Sequence, residues 1–244
     1  MMRWMALVLA MALMLATACG GSSTAKSYSG LYISLGDSVA AGNGASDRAT
    51  TSFVALLAKD EGGLETANLA VAGATTGDVI EKQLAQAAEA ARGKKLAFIT
   101  ISAGGNDLAA LIPNTSCQLD PLPASCPLDD ELAKVEANLD TIMKRLRAVD
   151  GRTPIVLLLY PNFFSGTGHP FEAPASRVLP RLDDVIARVA GKYQHTGVAL
   201  GAPPFEGRGG QLTHTLDPAF DPHPNDAGHR ALADAFEEAL RRVK

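Results

Sequence analysis

Four short stretches of this chain of 244 residues hold side chains that can act together as a nucleophile and its supports. In "LYISLGDSVA", strand-forming residues stop at Gly36, and an acid, Asp37, and a hydroxyl, Ser38, follow at once. A loop feeding a helix at that point turns backbone N–H groups toward a developing anion. "NLAVAGATT" sets Gly73 after a second apolar run, among small neighbours that let the backbone approach a ligand. "ISAGGNDL" sets Gly104, Gly105, Asn106 and Asp107 after a third, where a side-chain amide can donate to an oxyanion. "FDPHPNDAGHR" holds His223 between Pro222 and Pro224, just ahead of the last helical pattern. A serine hydroxyl needs a general base to lose its proton at neutral pH, and imidazole is the usual choice. Each stretch alone reads as a turn. Three at successive strand ends, with a restrained histidine, form a constellation.

The elements that must position these groups are legible in the hydrophobic pattern. Apolar runs at 32–35, 66–70, 96–102, 155–160 and 198–200 read as strands buried on both faces, as in a parallel sheet. Helical patterns fill 52–59, 77–92, 129–149, 176–193 and 225–243. Their alternation predicts one α/β domain, a three-layer sandwich. Long irregular stretches at 109–128, 161–175 and 201–224 are expected near the carboxyl ends of the strands, where sites form in such folds. Phe163, Phe164, Phe171, Phe205 and Phe220 fall in or beside them, either lining an acyl pocket or forming small satellite cores.

Composition excludes some functions. A net charge of −4 argues against nucleic acid as a partner, which calls for a basic face. Arg3 followed by the apolar run 4–15 and by Ala16-Thr17-Ala18 reads as a cleaved export signal over 1–18. Cys19 comes next, and 19–29 is a polar tether. "LATAC" resembles a bacterial lipoprotein signal, although Leu15 lies one position further from Cys19 than usual. Lipidation of Cys19 and ordinary cleavage before it both imply export, with any membrane contact made through a lipid anchor. The other two cysteines, Cys117 and Cys126, bracket a Pro-rich loop and are expected to pair in an oxidising compartment. No histidine or third cysteine sits nearby at metal-ligand spacing.

The stretch Gly36-Asp37-Ser38-Val39-Ala40 departs from the G-x-S-x-G elbow of α/β-hydrolases, with Ala40 in place of the second glycine. Instead, Gly-Asp-Ser, Gly73, Gly104-x-Asn106-Asp107 and His223-Pro224, in this order, resemble the four blocks of the SGNH (GDSL-type) hydrolases. The resemblance runs from about Tyr32 to Lys244, within a domain of 30–244. It implies a flavodoxin-like five-stranded parallel sheet and serine hydrolysis of esters without metal or organic cofactor. It also implies that Ser38 is the nucleophile and His223 the base. The Ser38 N–H, the Gly73 N–H and the Asn106 side chain would form the oxyanion hole. Asp37 and Asp107 are expected to order their own loops.

One position breaks the pattern. The family's acid stands three residues before the histidine, where this chain has Phe220. Asp221 through an altered turn, Asp217 from upstream, or a backbone carbonyl can each hold the imidazole. His169, His195, His214 and His229 are expected to be solvated or packed. An esterase or lipase is the leading expectation. A carbohydrate O-deacetylase, an acyltransferase and a non-enzymatic binding lipoprotein are the alternatives.

Overall fold

The computed structural model describes residues 28–109, 111 and 113–243. The expected leader 1–18, Cys19 and nearly all of the tether lie outside the described residues. Five parallel strands form the central sheet: β1 (Leu31–Gly36), β2 (Glu65–Asn68), β3 (Leu96–Ser102), β4 (Ile155–Leu159) and β5 (Thr196–Leu200), in the order β2-β1-β3-β4-β5. Alternation along each strand sends side chains to opposite faces. Leu31, Ile33, Leu35, Ile99, Ile101, Ile155 and Leu157 pack into one core, and Tyr32, Phe98, Val156 and Leu158 into the other.

Two helical layers close these cores. On the first face lie α2 (Thr76–Asp78), a π-helical turn Val79–Gln83, α3 (Leu84–Ala91), α5 (Leu128–Val149) and α6 (Glu172–Ala190). On the second lie α1 (Phe53–Asp60) and α9 (Asp226–Arg242), where Phe53 stacks on Phe236 at 4.9 Å. Burying an aromatic side chain of this size stabilises by roughly 1.5–3 kcal/mol. Ser52 caps α1 by accepting from the Ala55 N–H, and Asn225 caps α9 by accepting from the Gly228 N–H. The result is the expected α/β/α sandwich.

Four features differ from the sequence reading. Strands β2 and β5 are not buried on both faces, because both lie at sheet edges: Glu65, Thr66 and Asn68 are exposed. The helical pattern 77–92 is interrupted by the π-helical turn, whose inner residue Gln83 is drawn toward the end of β1. Helix α6 starts four residues early, at Glu172, whose carboxylate accepts from the Gly166 and Gly168 N–H groups. The stretch 201–224 is folded, into α7 (Ala202–Phe205), α8 (Gly209–Leu212) and an antiparallel pair, β6 (Thr213–His214) with β7 (Asp221–Pro224). Earlier in the chain, α4 (Gly105–Ala109) follows β3, and a disulfide joins Cys117 to Cys126 in the loop beyond it. Among the described residues no helix is long and apolar enough to cross a membrane.

Candidate active site

The strand order reverses between β1 and β3, and in open α/β sheets ligands bind at such a switch point, beyond the carboxyl ends of the strands. Ser38 leaves β1 there and Asn106 leaves β3 beside it. Gly36, at φ +129°, makes the exit possible: a Cβ on it would lie 1.9 Å from the Ser102 carbonyl oxygen. Its N–H donates to Gln83 Oε1 and its carbonyl accepts from Gln83 Nε2, both at 2.8 Å. The next residue, Asp37, is buried and serves as an anchor. It accepts from the Val39 N–H at 3.0 Å, the Ser102 hydroxyl at 3.0 Å and the Tyr160 hydroxyl at 2.5 Å. Burial pushes its carboxyl pKa up, and these three donors oppose the rise. Burial also raises the Tyr160 phenol, reinforced by the Asp37 charge.

Ser38 is thus fixed from behind, and its hydroxyl faces a ring from the far end of the chain. His223 Nε2 lies 2.8 Å from Ser38 Oγ, across 185 positions of sequence. On its other side, His223 Nδ1 is hydrogen-bonded to Asp221 Oδ1, which also accepts from the His223 backbone N–H at 3.0 Å. A carboxylate oxygen only accepts, so Nδ1 carries the proton and Nε2 of the neutral ring presents a lone pair to the serine. Burial opposes ionisation of Asp221, but the His223 N–H and ring outweigh it and hold the carboxyl below its ordinary value. Such a chain of groups can take a proton from a hydroxyl as it attacks.

The structure distributes the acids by partner. Asp217 bonds to His214 Nδ1 at 2.6 Å, leaving Asp221 to His223. Asp107 accepts from the Thr76 N–H at 2.9 Å and hydroxyl at 2.6 Å, tying α4 to the start of α2. Asn106 Nδ2 donates one hydrogen to the Ala74 carbonyl at 3.0 Å and has a second to offer. Gly73 is exposed, at φ +80°, in the turn that the Ala74 N–H closes on the Val71 carbonyl, next to the Ala74 carbonyl that Asn106 holds.

The cleft beside Ser38 has a volume of about 320 Å³, with Ser38, Asn106 and His223 at its polar end. Its walls are apolar, from Phe163, Phe164, Phe171, Phe220 and Leu179. Phe164 and Phe220 lie parallel at 6.3 Å, and His169 stacks on both, at 5.0 and 4.9 Å. Phe205 is fully buried and joins the second core instead. Among the described residues no cluster of three His, Cys, Asp or Glu side chains is set to hold a metal ion.

A sequence profile of the GDSL-like Lipase/Acylhydrolase family matches residues 34–231. The chain belongs to this family. It is therefore a carboxylic ester hydrolase. A lipase from Streptomyces rimosus is 32% identical to this GDSL-like hydrolase over 217 residues, covering 80% of this chain and 78% of that protein. Among solved structures, phospholipase A1 from Streptomyces albidoflavus NA297 superposes with a TM-score of 0.64 at 21% identity, covering 86% of this chain and 99% of its own. The acetylxylan esterase Axe2 from Geobacillus stearothermophilus gives 0.60 at 20% identity, covering 88% and 96%. The two structural likenesses speak for the fold alone.

Several supports of the GDSL-like site escape a linear reading. Gln83 has no motif around it, and Ser102, although it stands in the "ISAGGNDL" stretch, is not marked there as a partner of Asp37. Tyr160 carries the only local signal, a polar-tipped ring closing the aliphatic run Ile155–Leu159. His229 is fully buried: its Nε2 donates to the Asn43 carbonyl at 2.9 Å, and its Nδ1 accepts from the Phe53 N–H at 3.2 Å.

Proposed function

We propose that this hydrolase cleaves esters of apolar acyl chains through an acyl-enzyme on Ser38. His223 takes the hydroxyl proton as Ser38 Oγ bonds to the ester carbonyl carbon, then returns that proton to the departing alkoxide oxygen. Water enters, gives its proton to His223 and releases the acid, restoring Ser38. Asp221 keeps the ring in the tautomer that faces Ser38. The Ser38 and Gly73 N–H groups and the second hydrogen of the Asn106 amide receive the oxyanion.

The observation that carries this reading is the Ser38 Oγ to His223 Nε2 bond, closed by Asp221 behind it. The phenylalanine walls support an aliphatic acyl chain over acetylated sugar, whose hydroxyls need polar partners. We also assign the mature protein to the outside of the cytoplasm, through the leader 1–18, with Cys19 as its lipidated first residue. The Cys117–Cys126 disulfide fits that compartment.

A fluorophosphonate probe tests the nucleophile. Wild type labels, whereas Ser38→Ala neither labels nor hydrolyses p-nitrophenyl butyrate; near-wild-type turnover in the purified variant overturns the assignment. A binding module without activity fails to label at all. Faster turnover of acetylated xylan than of acyl esters supports a deacetylase, and ester formation with an added alcohol supports a transferase. Loss of lipid label in Cys19→Ala tests the anchor.

A further inference from the structure

Two further histidines grip neighbouring carbonyls of the loop that follows Ser38. His229 Nε2 donates to Asn43, as above, and His214 Nε2 donates to the Gly44 carbonyl at 2.9 Å. Both histidines come from the C-terminal part of the chain that also carries His223. Strand β6 sets His214 opposite Asp221 in the β6–β7 register. Gly44, at φ +83°, presses its α-carbon onto the same hairpin: a Cβ there would lie 2.3 Å from the Pro224 carbonyl oxygen and 3.0 Å from His223 Cβ. His214 therefore joins the nucleophile's loop to the strand that holds the base and its acid.

We propose that His214 is a positioning residue for the Ser38–His223 pair. Donating from both ring nitrogens, to Asp217 and to the Gly44 carbonyl, it locks the β6–β7 hairpin against the loop after Ser38. The proposal rests on the reading of Ser38 and His223 given above.

The chemistry of the partners makes this link pH-sensitive. A carbonyl and a carboxylate both only accept, so His214 fills both bonds only as an imidazolium. The Gly44 carbonyl and the Asp217 carboxylate hold its pKa above the ordinary histidine value, and Asp221 across the hairpin adds to the effect. The other nearby groups are His223 and, on α9, His229 and Asp226. His229 is pushed down by burial and needs one ring proton only, so its bond to Asn43 is indifferent to this change. Asp226 is engaged by the Ser46 N–H and hydroxyl and by the Thr51 hydroxyl. The His214 link is thus complete at lower pH and loses one bond as pH rises through the raised pKa.

The test is the pH profile of kcat and KM on p-nitrophenyl butyrate for wild type, His214→Gln and Asp217→Asn. We expect wild-type kcat to fall about tenfold on the alkaline side, with KM within about twofold, because small displacements of reacting groups act on kcat. His214→Gln keeps an uncharged donor for Gly44 and should remove that step. Asp217→Asn should move it to lower pH. If the His214 variant fails to fold, Asp217→Asn, altered at an exposed side chain, carries the comparison. A direct readout comes from imidazole ¹⁵N signals in Ser38→Ala, where both His214 ring N–H groups should persist above pH 6.5, the ordinary histidine value. An alkaline step unchanged in both variants, or a His214 ring titrating at or below that value, overturns the proposal. Wild-type turnover in Ser38→Ala overturns the underlying nucleophile assignment instead, and the ¹⁵N titration still reads the His214 link.

Discussion

Asp221 Oδ1 holds His223 twice, by its backbone N–H and by its ring, with only Pro222 between the two residues. The backbone bond makes a tight turn of Asp221-Pro222-His223, and the ring bond sets the tautomer within it. Replacing the carboxylate removes both, and the imidazole is then free to present the wrong nitrogen to Ser38. Asp221→Ala should lower kcat/KM at least about 100-fold without unfolding the protein, checked by steady-state kinetics alongside thermal denaturation. A loss under about threefold would favour the Ser–His dyad. A second carboxylate works differently. Asp183 accepts from the Tyr160 N–H at 2.8 Å, and burial pushes its pKa up to about 7. Its folded pKa is above the ordinary value of 3.8, so its contribution is complete below that pH and lost as pH rises through about 7. Asp183→Asn keeps an oxygen for Tyr160 and avoids the buried charge. With allowance for partial solvent access, it should stabilise by about 1–2 kcal/mol at pH 8, and the gain should vanish near pH 4 in denaturant titrations.

At the scale of elements, the π-helical turn Val79–Gln83 is the feature most closely tied to Ser38. A wide turn brings Gln83 inward until its amide matches both polar groups of Gly36, two positions before Ser38. Gln83→Leu leaves the buried Gly36 N–H without its partner, which costs about 1–3 kcal/mol. We expect that loss in chemical denaturation, together with reduced kcat, because Gly36 sets where the next two residues point. Unchanged stability and kcat would show the clamp to be incidental. The strands and long helices around it were readable beforehand, since their periodicity is local. The π turn was not, because it depends on a partner 47 positions away. Edge exposure of β2 and β5 was hidden for a similar reason: strand order belongs to the sheet, not to a run of four residues.

For the whole molecule, the cleft is a meeting of distant loops. Phe163, Phe164 and Phe171 come from the loop before α6, while Phe220 comes from just ahead of β7. Phe164, His169 and Phe220 stack into one wall across that gap, so the apolar groove exists only when both loops are in place. Octanoyl esters should be preferred over acetyl esters. Phe220→Ala should lower kcat/KM for p-nitrophenyl octanoate about tenfold while changing acetate less than about twofold, as a chain-length series would read. Equal losses on both would assign Phe220 to structure rather than to the acyl chain.

The residues by themselves determined the sandwich class, the serine, glycine and asparagine blocks at strand ends, the histidine ahead of the last helix, and the pairing of Cys117 with Cys126. These follow from period, composition and spacing, which act over a few neighbours. Only the tertiary structure decided which acid meets which histidine. Asp217 and Asp221 both lie within six positions of His223, and the way the hairpin folds turns the first back to His214, whose carbonyl accepts the Asp217 N–H at 3.1 Å, and the second to His223. It also divided the phenylalanines, burying Phe205 in the core and turning Phe220 to the cleft. Hydrogen bonds and ring contacts are short-ranged, so a side chain's role is fixed by what folding brings within a few ångströms.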